Sequence, residues 1–298
     1  MNASPRALLA HALERLDGVG RVSAGRLVRH FESYHALTSY PREQVLTRLK
    51  SAPNANRLVD HLFDPQFMEP VLEAAEAELR GLEQSGIQAI AFGDAGWPAD
   101  FSRLPASDQP NLLYLYGHRR VLEQPLAALF GKAALREEAF DYAQTLVRFL
   151  SGRNIHPVIG AAHGFDVVMA KLSVDAATPA LMLCASGLAH IAPPLRPTVS
   201  ATVRAGGALL TSFPMQQPHF PHQDDDQALH MAAIAQAGIF LDPDPGEPAW
   251  KAMEWMLENH KAVFAVGNGP HPLPERIHLL ETEIDQEWVA TAVTEGRR

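Results

Sequence analysis

IHPVIGAAHGFDVVMAKLSV, residues 155–174, runs from an apolar strand (155–159) through a turn containing Gly160 and Gly164 into a helix that begins at Phe165. Glycines let the backbone turn closely there. Asp166 places a carboxylate in the first turn of the helix, where unpaired N–H groups favour negative charge. The same grammar recurs on both sides. Apolar runs of strand length occupy 87–92, 112–116, 126–130, 180–184, 208–211, 239–241 and 262–266, and helical periodicity fills 137–150, 198–205, 227–237 and 248–259. Strands alternating with helices predict an α/β fold, a largely parallel sheet flanked by helices on both faces. Ligands of such sheets sit beyond the carboxyl ends of the strands, so function is sought in the loops there.

The first 63 residues follow a different pattern. Helical spacing appears at 5–16, 23–31, 41–49 and 54–63, with Asp17-Gly18-Val19-Gly20 joining the first two. Pro65 and Pro70 mark a boundary ahead of a helix at 71–84. The expected division is a small all-helical module, residues 1–70, followed by the α/β domain, residues 71–298. Charge divides in the same way. Residues 1–63 hold nine Lys/Arg against five Asp/Glu, although the chain as a whole has a net charge of -9. A basic module joined to an acidic domain gives each part its own field for steering partners.

With 47% hydrophobic and 20% charged residues, the composition excludes a disordered chain. No apolar run approaches bilayer length, and residues 1–15 lack the pattern of a secretory signal. The expected location is cytoplasmic, with no membrane contact. Cys184, the single cysteine, permits no internal disulfide and reads as a small buried hydrophobe.

Several loops have the residues to hold a ligand. Gly131-Lys132-Ala133 follows the 126–130 strand and precedes a helix, so it is either a plain turn or an anion site of backbone N–H groups with Lys132 nearby. Gly160, His163, Gly164 and Asp166 form a second loop, either fixing the helix start or making room for a flat ligand. Ser186 and Gly187 follow the 180–184 strand, with Ser186 at most a hydrogen-bond donor. Residues 219–227, HFPHQDDDQ, gather imidazoles and carboxylates without an established metal-site spacing. They read as a hydrated loop in which Asp225 or Asp226 caps the helix expected at Gln227, and they repel phosphate. In the basic module, Gly18 and Gly20 can offer backbone N–H groups to a nucleic-acid phosphate, with Arg21, Arg26 and Arg29 adding charge. A helical packing role for the same residues is equally open. No catalytic constellation, resident metal or cofactor is expected.

These loops resemble the DNA-processing protein A family, also called Smf. Leu16-Asp17-Gly18-Val19-Gly20 is similar to its amino-terminal helix-hairpin-helix (SAM-like) module, and Leu112-Leu113-Tyr114-Leu115-Tyr116-Gly117 to its "VLYxxG" strand. Gly160, Ala162, Gly164 and Asp166 match its S-G-x-A-x-G-[IV]-D, although Ile159 replaces the serine. Leu210-Thr211-Ser212-Phe213-Pro214 is similar to L-L-S-E-x-P, and Phe220-Pro221 keeps a Phe-Pro landmark. Two departures concern charge. Gly131-Lys132-Ala133 stands for Gly-Ser-Arg, and Gln223-Asp224-Asp225 for Arg-Asn-Arg.

The resemblance implies an extended Rossmann-like core and a non-enzymatic protein. It also implies binding of single-stranded DNA, loading of a RecA-type recombinase during natural transformation, and a homodimer. Degenerate phosphate-binding loops shift the expected DNA contact towards the basic module. Two alternatives stay open: a nucleotide or nucleotide-derivative sensor using the Gly131, Gly160 and Ser186 loops, and a protein-interaction subunit whose cleft has lost its ligand.

Overall fold

The computed structural model describes residues 3–49, 52, 54–131, 135–162, 164–267 and 272–296. The chain divides into two compact units, Met1–Trp97 with Leu104–Leu115, and Pro98–Arg103 with Tyr116–Arg298.

The first unit holds α1 (Pro5–Glu14), α2 (Arg21–His30), α3 (Tyr34–Thr38), α4 (Arg42–Arg48), α5 (Ala55–Leu62) and α6 (Pro65–Gln84). These are followed by β1 (Ile87–Ala91) and most of its neighbour β2 (Leu112–Gly117). Ser4 starts α1 by accepting the Ala7 N–H, with Pro5 in the first turn where no donor is needed. Leu9, Leu13, Leu27, Leu37 and Leu62 are fully buried and form the core that the helical spacing predicts. α6 starts at Pro65 and runs through Pro70, earlier than the expected residue 71. The Asp64 carboxylate accepts the Gln66 N–H and nucleates this earlier turn. Burial of Met68, Ala75 and Leu79 outweighs the one helical hydrogen bond that Pro70 withholds.

The second unit is built on a parallel sheet. It comprises β3 (Leu126–Phe130), α7 (Glu137–Gly152), β4 (His156–Gly160), α8 (Phe165–Asp175), β5 (Leu181–Leu183), α9 (Arg196–Arg204) and β6 (Ala208–Thr211). α10 (Gln223–Ile234), β7 (Ala237–Leu241), α11 (Pro248–Glu258), β8 (Ala262–Val266), β9 (His278–Leu279) and α12 (Gln286–Glu295) complete it. The strand order is β6-β5-β4-β3-β7-β8-β9. Ala128 pairs with Val158 on one side and Gly238 on the other, both in parallel. Every residue of β3, β5, β6 and β7 is buried, as strands covered on both faces must be.

The chain builds outward from β3 through β4, β5 and β6, then returns to β3's other side with β7. That reversal opens a crevice beyond the ends of β3 and β7, the general position for a ligand in a doubly wound sheet. Phe130 and Phe240 stack at this end with ring centroids 4.4 Å apart. Among the described residues no helix is long and apolar enough to cross a membrane.

α10 differs from its expected extent. It begins at Gln223, so Asp224, Asp225 and Asp226 occupy its first turn and are not a hydrated loop ahead of it. The unpaired N–H groups and positive end of the helix dipole favour three carboxylates there. His222 stands at the cap position without a side-chain bond, so neither Asp225 nor Asp226 acts as the cap. Fully buried Gln223 turns the Phe-Pro element instead, its Oε1 accepting the Phe220 N–H at 2.6 Å.

A glycine-lined cavity and a cationic cavity

Two cavities, one in each unit, hold five of the candidate residues: Gly131, Gly160 and Asp166 in one, Arg26 and Arg29 in the other. In the second unit a cavity of about 480 Å³ lies beyond the carboxyl ends of β3, β4 and β7. Gly131, Gly160 and Asp166 line it together. The glycines are there for space: a Cβ on Gly131 meets the Phe165 ring at 2.7 Å, and one on Gly160 meets Asp166 Oδ2 at 2.5 Å. Gly164, at φ +74, turns the chain into α8. Asp166 then reaches back, Oδ2 accepting the Ala162 N–H at 3.1 Å, and so fixes the loop that precedes its own helix. Burial pushes its carboxyl up to about 6, against the pull of the backbone donors at Ala162 and Gly160. Lys132 and His163 lie outside the described residues.

Ser186 and Gly187 do not line this cavity. The Ser186 carbonyl accepts from Thr211 Oγ1 at 2.8 Å, and Gly187 packs so tightly on the Pro214 and Met215 carbonyls that a Cβ has no room. They tie the loop after β5 to the loop after β6. Cys184 is buried, and burial pushes its thiol up to about 12, so it packs without the reactivity of a thiolate.

The imidazoles near the Asp224–Asp226 turn disperse. His219 Nε2 pairs with Asp224 Oδ1 at 2.7 Å, His222 lies against the Phe220 ring, and His230 Nδ1 meets Ser212 Oγ at 3.1 Å. Among the described residues no group of three His, Cys, Asp or Glu side chains is arranged to hold a metal.

In the first unit Arg26 and Arg29 on α2 meet Arg48 at the end of α4 around an open cavity of about 310 Å³, which His30 completes. Arg29 is held over the Phe92 ring, 5.8 Å from its centroid, and burial lowers its pKa from the usual guanidinium value. Arg48 lies over Phe31 and bonds His30, whose pKa is lowered by desolvation and by that neighbouring charge. His30 and Arg48 carry no local sequence signal as a pair; eighteen residues apart, they meet because α4 folds onto α2. Arg21 is placed elsewhere, donating to the Ser107 carbonyl at 3.0 Å. Gly18 takes φ +83 in the α1–α2 turn, whereas Gly20 is extended and caps α2.

A parallel sheet whose order reverses at β3, with a glycine-lined cavity beyond its carboxyl ends and an amino-terminal helical region, defines a Rossmann-like α/β protein of the ligand-binding type. The chain belongs to the DNA recombination-mediator protein A family, whose sequence profile matches residues 88–287. Its structure is similar to DNA processing protein A from Streptococcus pneumoniae, with a TM-score of 0.68 and 13% identity over 96% of this chain and 97% of that one. It is also similar to DNA processing protein A from Helicobacter pylori, described for its single-stranded DNA binding mode, with a TM-score of 0.58 and 16% identity over 70% of this chain and 96% of that one. No match was found among curated protein sequences.

Proposed function

We propose that this chain is a non-enzymatic DNA-processing protein that binds single-stranded DNA, with residues 1–70 as the module that makes the contact. The observation that carries the reading is the cavity ringed by Arg26, Arg29, His30 and Arg48. Three guanidiniums around one opening fit the phosphate backbone, whose neutralisation dominates nucleic-acid affinity. Family membership and the description of the Helicobacter pylori relative support the same polymer. In this reading the phosphate-facing loops of residues 71–298 are degenerate. Gln223-Asp224-Asp225 begins α10 beside a cavity that Asp166, Asp242 and Glu247 also line, and carboxylates there oppose phosphate. The same acidity weighs against a nucleotide sensor.

The protein acts as a homodimer that passes DNA to a RecA-type recombinase. Ile284 and Trp288, 79% and 52% exposed and four residues apart near the start of α12, supply an apolar face for a second copy.

Titration of a fluorescent single-stranded oligonucleotide at several salt concentrations tests the DNA reading. Affinity is expected to fall steeply with salt, and Arg26→Ala/Arg29→Ala/Arg48→Ala to weaken it more than about tenfold while flattening the slope by roughly 2, as loss of three phosphate contacts requires. Unchanged affinity and slope in that variant overturn the reading.

A further inference from the structure

We propose that Tyr40 is the platform on which an unpaired base stacks beside the cavity of Arg26, Arg29, His30 and Arg48, and that this ring gives the site its preference for a single strand over a duplex. The inference rests on the DNA contact proposed above and assigns to it the group that reads strandedness.

Guanidiniums alone make no such distinction, because a duplex offers the same phosphates as a single strand. What a single strand adds is the open face of each base, which aromatic side chains take up whatever the sequence. Tyr40 has the position this needs. It stands in the short link between α3 and α4, its N–H donating to the Leu37 carbonyl at 3.2 Å, and Pro41 next in the chain disfavours helical backbone there.

The Tyr40 ring is open to solvent and yet held. It is 42% exposed. Its centroid lies 5.1 Å from that of Phe31 and 5.6 Å from that of His30, with interplanar angles of 75° and 77°. Phe31 is fully buried and meets His30 edge to face at 4.7 Å. Three rings in mutual contact fix Tyr40 on the core of the helical unit, so little side-chain freedom is left to lose when a base arrives. His30 belongs to both halves of the site, lining the cationic cavity and touching Tyr40. Desolvation and the Arg48 charge lower its pKa, so near pH 7 it is a neutral ring between the phosphate contact and the base contact. Arg48 completes the link, bonded to His30 and lying over Phe31, 5.9 Å from the ring centroid. A strand that seats a phosphate in the cavity therefore meets Tyr40 through a neighbouring base.

Fluorescence anisotropy of the full chain with three probes of equal phosphate count tests this: an oligothymidylate, the same backbone made abasic throughout, and a half-length duplex. The wild-type chain is expected to bind the oligothymidylate roughly fivefold or more tightly than the abasic strand, and more tightly than the duplex. Tyr40→Ala is expected to erase both preferences by weakening only the oligothymidylate, with the salt slope unchanged, whereas Tyr40→Trp keeps or raises them. Tyr40→Leu, which leaves apolar bulk against Phe31, covers the case in which Tyr40→Ala does not fold and is expected to lose the preferences as well. Arg26→Ala/Arg29→Ala/Arg48→Ala separates the two readings, because it is expected to weaken all three probes together. If it does so while Tyr40→Ala or Tyr40→Leu retains the wild-type preferences, the stacking platform is overturned and the phosphate contact stands. A wild-type chain that binds the abasic strand as tightly as the oligothymidylate also overturns the platform. If no probe binds, both readings fall.

Discussion

Lys261 Nζ lies 2.7 Å from Asp100 Oδ2 and also donates to the carbonyls of Ala232, Ala233 and Ala235 at 3.2, 2.8 and 2.7 Å. One ammonium thereby satisfies the carboxyl end of α10, where carbonyls lack helical donors, and ties it to the segment containing Asp100. Burial lowers the Lys261 pKa, while the Asp100 carboxylate opposes that shift and favours the charged form. The other end of α10 carries Asp224, Gln227 and Ala228 into the acidic cavity, so this anchor also positions the cavity wall.

Lys261→Met is expected to destabilise the protein by about 3 kcal/mol, because it removes a buried charge and strands three carbonyls and a carboxylate. Urea denaturation reads this as a lower midpoint with an unchanged slope. Asp100→Asn added to Lys261→Met is expected to cost less than the sum of the two single changes, since the ion pair is already gone. Strict additivity would show that the two side chains do not act together.

Asp166 predicts a pH dependence of stability. Its folded pKa of about 6 lies above the unfolded carboxyl value near ~4. The folded state therefore holds the proton more tightly, and the associated stability is fully present below about pH 4 and lost as pH rises through about 6. The loss is on the order of 3 kcal/mol. Asp166→Asn removes this titration. The difference in unfolding free energy between wild type and variant, measured from pH 4.5 to 7.5, is expected to move in the variant's favour as pH rises; a constant difference contradicts the assignment.

Ile284 and Trp288 predict an oligomeric state. If their exposed side chains cover one another in a second copy, Ile284→Glu/Trp288→Glu converts a dimer to a monomer in analytical ultracentrifugation. The thermal midpoint measured at low protein concentration is expected to change little, because neither side chain belongs to the buried core. A wild-type chain that sediments as a monomer at every concentration removes the dimer reading.

Three strands, β3, β6 and β8, fall on the residues that their apolar runs mark, whereas β7, equally buried, starts ahead of its run at Ala237, where Ala237-Gly238 carries little apolar signal. The start of α10 is harder to read. Gln-Asp-Asp-Asp looks like a solvated loop when taken as polarity, yet acidic residues in a first helical turn are favoured by the unpaired N–H groups around them. β9 has only two residues, too few for any period to show, and is defined by its pairing with β8. The candidate sites divide in the same manner. Gly131, Gly160 and Asp166 are visible because strand-to-helix loops of one sheet edge must converge. Arg48 joins Arg26 and Arg29, and Arg136 joins Asp242, through contacts that only the folded chain creates.

Gly160 offers a test of how tightly the cavity floor is built. An added methyl stands 2.5 Å from Asp166 Oδ2, closer than real Cβ contacts come, so either the carboxylate moves or the end of β4 does. Moving the carboxylate stretches its bond from the Ala162 N–H and disturbs the start of α8. Gly160→Ala is therefore expected to cost about 1–3 kcal/mol by overpacking. Asp166→Ala removes the atoms that the new methyl meets, so the double variant Gly160→Ala/Asp166→Ala is expected to be more stable than the two single costs predict. A coupling of about 1 kcal/mol or more in a double-mutant cycle matches direct contact. Additive costs would place the carboxylate away from Gly160 and leave the loop fixed by other bonds.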